Sequence, residues 1–107
     1  MLTTKDFLVS AKTKIMDHGW VQGHLGNRNE GYCLMGALDA VSDDLLDSGT
    51  SDSDTWKAYM KAERAVCNEL KFQGMIAAVG SWNDAGHRTQ QEVLDLLDSA
   101  ARSVAGE

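Results

Sequence analysis

Apolar side chains recur at three- and four-residue steps in four stretches of the chain, and each stretch predicts a helix. The first covers 4–17, where Phe7, Leu8, Ala11, Ile15 and Met16 make one face and Lys5, Lys12 and Lys14 lie off it. Gly19 then stands where a glycine commonly ends a helix. The second helix covers 32–47, with Cys33, Gly36, Ala37 and Ala40 as a stripe of small side chains. Tyr32, Leu34, Leu38, Val41 and Leu45 widen its apolar surface, so burial on more than one side is expected. A glycine inside a helix costs about 1 kcal/mol relative to alanine. Gly36 therefore predicts the close approach of another backbone at that stripe.

The third helix covers 55–70, with Trp56, Tyr59, Met60, Val66, Cys67 and Leu70 inward and Lys57, Lys61, Arg64 and Lys71 mostly outward. The fourth begins at Thr89 and turns Val93, Leu94, Leu97, Ala100, Ala101 and Val104 inward, with Asp95 and Asp98 outside. The connections differ in character. "GWVQGHLGNRNEG" (19–31) is rich in Gly and Asn, which marks turns rather than a regular element. It is long for a helix connection, so it is either functional or packed on itself through Trp20, Val21 and Leu25. "DSGTSDSD" (47–54) reads as a polar connector. In 74–82 the period changes: Met75, Ile76, Ala77, Ala78 and Val79 run together between Gly74 and Gly80, as a buried strand, an extended segment or a short helix. The fold class expected is mainly α, a compact four-helix domain with one short irregular or strand-like segment before the last helix.

Composition narrows the picture. The chain has 107 residues, enough for one domain (1–107) with a single core and no need of metals or disulfides. No apolar run approaches the ~20 residues of a membrane helix. The first residues carry an acid and lack the apolar stretch of a signal peptide, which points to the cytoplasm. Cys33 and Cys67 are accordingly expected to be reduced. The net charge of −6 is uneven. Asp39, Asp43, Asp44, Asp47, Asp52 and Asp54 occur with no Lys or Arg among them, and elsewhere acids and bases balance. Such a segment disfavours nucleic-acid phosphates and attracts a basic protein surface, or else is simply a solvated helix end and loop.

Candidate chemistry collects around "WNDAGHR" (82–88) and Cys33. Thr89-x-x-Glu92 is a capping box, so these two residues start the last helix. His87 and Arg88 gain nothing from a helix start, which favours anions. Arg88 either pairs with Asp84 across the turn or joins free backbone N–H groups in holding a carboxylate or phosphate. Asn83 and Asp84 suit an Asx-type turn anchored by Trp82. Cys33, in the first turn of the second helix, is either a core cysteine or a nucleophile served by His87 or His24 and oriented by Asp84 or Asn83. His18, His24, His87, Cys33 and Cys67 show no metal-ligand spacing, and neither a metal nor a cofactor is expected.

Two stretches together, "GYCLMGALDA" (31–40) and "WNDAGHRTQQEVLDLLDSA" (82–100), resemble the signature of an uncharacterised family of small proteins from actinobacteria and their phages. That signature pairs Tyr/Val-Cys-Leu-x-Gly-Ala with Trp-Asn-Asp-x-x-x-Arg-Thr-x-x-Glu-Val. The matching positions are Cys33, Leu34, Gly36, Ala37, Trp82, Asn83, Asp84, Arg88, Thr89, Glu92 and Val93. The resemblance implies a layout and no reaction. It suggests that the small-residue face of the second helix meets the Trp-led turn, with Trp82 or Asn83 close to Gly36 or Cys33. The function expected is a non-enzymatic cytoplasmic interaction module or regulator, phage-encoded and acting on a host protein, with the acidic 39–54 segment and the 19–31 loop as contacts. The alternative is a small enzyme or ligand-binding protein with a cleft around Cys33, Trp82, Asn83, Asp84, His87 and Arg88.

Overall fold

Thr3 opens the first helix, α1 (Thr4–His18), through a capping box with Asp6. The Thr3 hydroxyl accepts the Asp6 N–H at 3.0 Å, and the Asp6 carboxylate accepts the Thr3 N–H. The helix ends where the Gly19 N–H donates to the Ile15 carbonyl at 2.7 Å. Next come a two-stranded antiparallel ribbon, β1 (Gly26–Asn27) and β2 (Gly31–Tyr32), and then α2 (Leu34–Asp47). α3 (Asp52–Phe72), a short α4 (Val79–Asp84) and α5 (Gln90–Ser103) complete the chain. This computed structural model describes residues 2–74 and 78–104.

The core draws one stripe from each long helix. Phe7, Leu8 and Ile15 of α1 meet Leu34 and Leu38 of α2, Val66 and Leu70 of α3, and Val93, Leu96 and Leu97 of α5, all at most 1% exposed. α1 packs against α2, α3 and α5, and α3 packs against α2 and α5. Ion pairs tie the edges of α1 to its neighbours. Lys12 reaches both carboxylate oxygens of Asp98 on α5 at 2.8 Å, and Lys14 pairs with Asp44 on α2.

The mainly helical architecture with four long helices is as the periodicity predicts, but several details differ. α3 starts at Asp52 rather than near 55, because Ser51 caps it by accepting the Asp54 N–H at 3.1 Å. Asp52 and Asp54 therefore occupy a helix first turn, where negative charge complements the dipole. Trp56 and Met60 do not face inward. Trp56 is 63% exposed, and the inner stripe of α3 is instead Thr55, Ala62, Ala65, Val66 and Leu70. Small side chains there let α1 and α5 come close, and Trp56 is turned one position round the helix. Met16 likewise lies outside, since Ile15 takes the core position in the last turn of α1.

The Gly-rich loop contains a regular element after all. Gly26 pairs with Tyr32 and Asn27 with Gly31, and the Asn27 side-chain oxygen accepts the N–H groups of Asn29 and Glu30 inside the turn. Gly31 sits at φ +102°, and a Cβ there would lie 2.6 Å from the Gly19 carbonyl oxygen, so only glycine fits. The segment before the last helix ends in the α-helical 79–84 turn rather than a strand. Met75, Ile76 and Ala77 lie outside the described residues.

Candidate functional site

Asn83 is the centre of the Trp-Asn-Asp turn and is 1% exposed. Its Oδ1 accepts the Trp20 indole N–H at 2.7 Å and the Leu34 backbone N–H at 3.1 Å. Its Nδ2 donates to the Val21 carbonyl at 3.2 Å and to the Asp84 carboxylate at 2.9 Å. An amide side chain has two acceptor sites and two donor hydrogens, so its capacity is filled. The partners also dictate which way the amide points, because Trp20 Nε1 and Leu34 N can only donate. Leu34 N–H is one of the orphan donors that every helix start leaves. Asn83 thus caps α2 from a residue 49 positions away.

The neighbours extend this tie. Gln22 donates through Nε2 to the carbonyls of Asn83 (2.9 Å) and Ala85 (2.8 Å), closing the C-terminal end of α4. Asp84 accepts the Gly23 N–H at 2.9 Å. That hydrogen bond, with the one from Asn83, holds its carboxyl below the ordinary value of 3.8. A depressed folded pKa contributes stability that is complete above the ordinary value and fades as pH falls through the lower, folded one. The stability advantage of the natural protein over Asp84→Asn is therefore expected to be constant near neutrality and to shrink below about pH 4. Thermal melts from pH 2 to 7 test this, and parallel pH profiles for the two proteins would contradict it.

Arg88 does not pair with Asp84. It is 8% exposed and donates from Nε to the Trp82 carbonyl and from Nη1 to the Glu92 carboxylate, both at 2.9 Å. Its guanidinium carbon lies 4.0 Å from the Trp82 ring centroid, a cation–π contact. Glu92 also completes the capping box at Thr89, accepting the Thr89 N–H at 3.0 Å. Burial opposes its charge, but the Thr89 N–H and Arg88 hold its carboxyl below the usual value. The motif from Trp82 to Glu92 is one connected set of hydrogen bonds joining α4 to α5.

The expected meeting of α2 with the Trp-led turn takes a specific form. Asn83 reaches the α2 start, but the small-residue stripe receives a different backbone. A Cβ on Gly36 would lie 1.9 Å from the Leu25 carbonyl oxygen. That same carbonyl accepts the Cys33 N–H at 3.1 Å, so the 19–31 loop is pressed onto the first turn of α2. Cys33, 7% exposed, is the N-cap and its Sγ accepts the Gly36 N–H at 3.2 Å. His24 pairs with Glu30 at 2.6 Å on the exposed side of the loop, and His87 is exposed in the turn before α5. Trp20, Gln22 and Gly23 had no signal that tied them to Asn83 and Asp84, since partners more than sixty residues apart leave no local pattern. Among the described residues, no group of three or more His, Cys, Asp and Glu is arranged to hold a metal ion.

The six aspartates of the acidic segment divide among three depressions. Asp39, Asp43, Asp44 and Asp47 line a cleft of about 450 Å³ between the Gly36–Ala40 face of α2 and the loop at 25–28, with Lys14 and Arg28 at its edges. Asp52 joins Asp39 in a groove between α2 and α3, and Asp54 borders a third hollow near Leu2 and Lys57. Asp39 is half-buried, and the removal of water raises its pKa.

A model of a family of unknown function, DUF6197, matches residues 1–103. The chain belongs to this family. The match to DUF6197 takes in α1 to α5, the ribbon, the Asn83 tie and the acidic cleft alike. None of the curated proteins and none of the solved structures matches the chain. No helix of the described residues is long and apolar enough to cross a membrane.

Proposed function

We propose that the protein is a non-enzymatic interaction module whose acidic cleft receives a basic segment of a protein partner. The observation that carries this reading is the cleft between α2 and the 25–28 loop, where four carboxylates face two cations, one of which, Lys14, is already paired with Asp44. Opposite potentials across an interface raise association rates and exclude wrong partners. The Trp82–Arg88 turn, by contrast, buries the polar atoms of Asn83 and Arg88 in the fold and engages the exposed Asp84 carboxylate with the Gly23 N–H. The two free cysteines are compatible with a reducing compartment, and in this reading the module works in the cytoplasm. In this reading the module is a phage-encoded regulator that acts on a host protein.

The test is a titration of the full chain with an arginine-rich peptide, followed by backbone amide shifts. Shifts are expected to cluster at 25–28 and 36–47, and the variant carrying Asp43→Asn, Asp44→Asn and Asp47→Asn is expected to bind about tenfold more weakly at low salt, an effect that added salt screens. Equal affinity of the two proteins would rule out the cleft as the contact.

A further inference from the structure

The groove between α2 and α3 combines features that the fold itself does not need. Trp56, Leu46 and Met60 are 63%, 41% and 37% exposed, and all three line this groove of about 510 Å³. Trp56 is stacked on Tyr59, with ring planes 12° apart and centroids at 6.1 Å. Large apolar side chains gathered in one exposed hollow mark a contact surface rather than scattered surface residues. Asp39, Asp52 and Glu63 edge the same groove, and no Lys or Arg lines it among the described residues.

The shape indicates the occupant. The α3 side presents Asp52, Trp56, Met60 and Glu63 at helical steps, a row about 16 Å long at 1.5 Å per residue. Ser42 and Leu46 of α2 form the facing wall. A trough between two helices with apolar floor and acidic ends takes an amphipathic helix of about three turns, its apolar face down and cations at its flanks. A second copy of this chain is the wrong partner. A two-fold contact would set Asp39, Asp52 and Glu63 against their own equivalents, on a chain already carrying −6.

We infer that the α2–α3 groove is a docking site for a basic amphipathic helix of another protein. This goes beyond the acidic cleft, sharing only Asp39 with it, and the two sites can be tested separately.

The probe is a synthetic peptide of about four helical turns with leucines at i and i+4 and arginines beside them. A second peptide of equal charge carries serines in place of the leucines. Binding to the full chain is followed by anisotropy of the labelled peptide. The leucine peptide is expected to bind at least about tenfold more tightly than the serine peptide, and Trp56→Ala to remove about tenfold of that affinity. Trp56 is exposed, so its loss leaves the core intact, as circular dichroism would show. The Asp52→Asn, Glu63→Gln variant is expected to weaken binding severalfold and to flatten its salt dependence. The Asp43→Asn, Asp44→Asn, Asp47→Asn variant is expected to keep the affinity of the leucine peptide within about twofold, even if it abolishes binding at the cleft. Equal binding of both peptides, no effect of Trp56→Ala, or a dimer in sedimentation that Trp56→Ala abolishes would each overturn the inference.

Discussion

Replacing Asn83 with alanine is expected to destabilise the protein by about 3–4 kcal/mol, out of the roughly 5–15 kcal/mol typical of a small domain. The side chain holds four hydrogen bonds, and its removal strands three groups that water reaches poorly: the Trp20 indole N–H, the Leu34 N–H and the Val21 carbonyl. Each stranded buried group costs about 1–3 kcal/mol, and Trp20 and Val21, being half-buried, fall at the low end. Asp84 loses less, because it is exposed and keeps the Gly23 N–H. Urea denaturation followed by circular dichroism measures the effect, and the fluorescence of Trp20 should report a loosened loop before global unfolding. A loss under about 1 kcal/mol would mean that water replaces the amide and that the tie is dispensable. Asn83→Asp is an informative companion. It keeps the acceptor for Trp20 and Leu34 but sets a buried oxygen against the Val21 carbonyl. Burial and the Asp84 charge raise the pKa of the new carboxyl, so its penalty is greatest at neutral pH and lessens as pH falls and the group protonates.

Gly36→Ala is the second large effect, and its sign runs against helix propensity. Gly36 lies in the first turn of α2, where alanine's advantage over glycine is at most the about 1 kcal/mol of a helix interior, and that alone would stabilise α2. The added Cβ, however, would lie 1.9 Å from the Leu25 oxygen and 2.8 Å from its carbonyl carbon. These are backbone atoms and cannot swing aside as a side-chain tip would. The loop must shift by more than an ångström, which breaks the hydrogen bond from Cys33 N–H to Leu25 and strains the Gly26–Tyr32 pairing. A net loss of about 2–4 kcal/mol is expected, with faster amide exchange at Cys33 and through the ribbon. Because Leu25 and Gly36 both line the acidic cleft, the variant should also lose affinity for a basic peptide there. A neutral or stabilising substitution would show that the loop does not rest on the helix.

The two substitutions mark where the sequence is legible. The capping box at Thr89 and Glu92, the end of α1 at Gly19, the stripe of α2 and, apart from the buried Leu96, that of α5 can be read directly, because each is a pattern within one or two turns of the chain. Gly36 announced a close approach through its cost in a helix, although not which backbone would come. Trp56 misled, since apolar periodicity locates a face without telling whether a neighbour covers it; small Ala62 and Ala65 mark the true contact. The start of α3 was obscured because Ser and Asp serve a connector and a helix first turn equally well.

The family match places the whole architecture in DUF6197 and adds no reaction to it. The sequence by itself determined the four long helices, the end of α1, the start of α5 and the concentration of negative charge between 39 and 54. Tertiary structure alone decided that Asn83 would cap α2, that Leu25 would lie on Gly36 and that six neighbouring aspartates would part into three hollows. The reason is physical. Capping and amphipathicity depend on atoms a few residues apart, whereas a buried amide finds its donors only after the core has packed and brought remote backbone groups within about 3 Å.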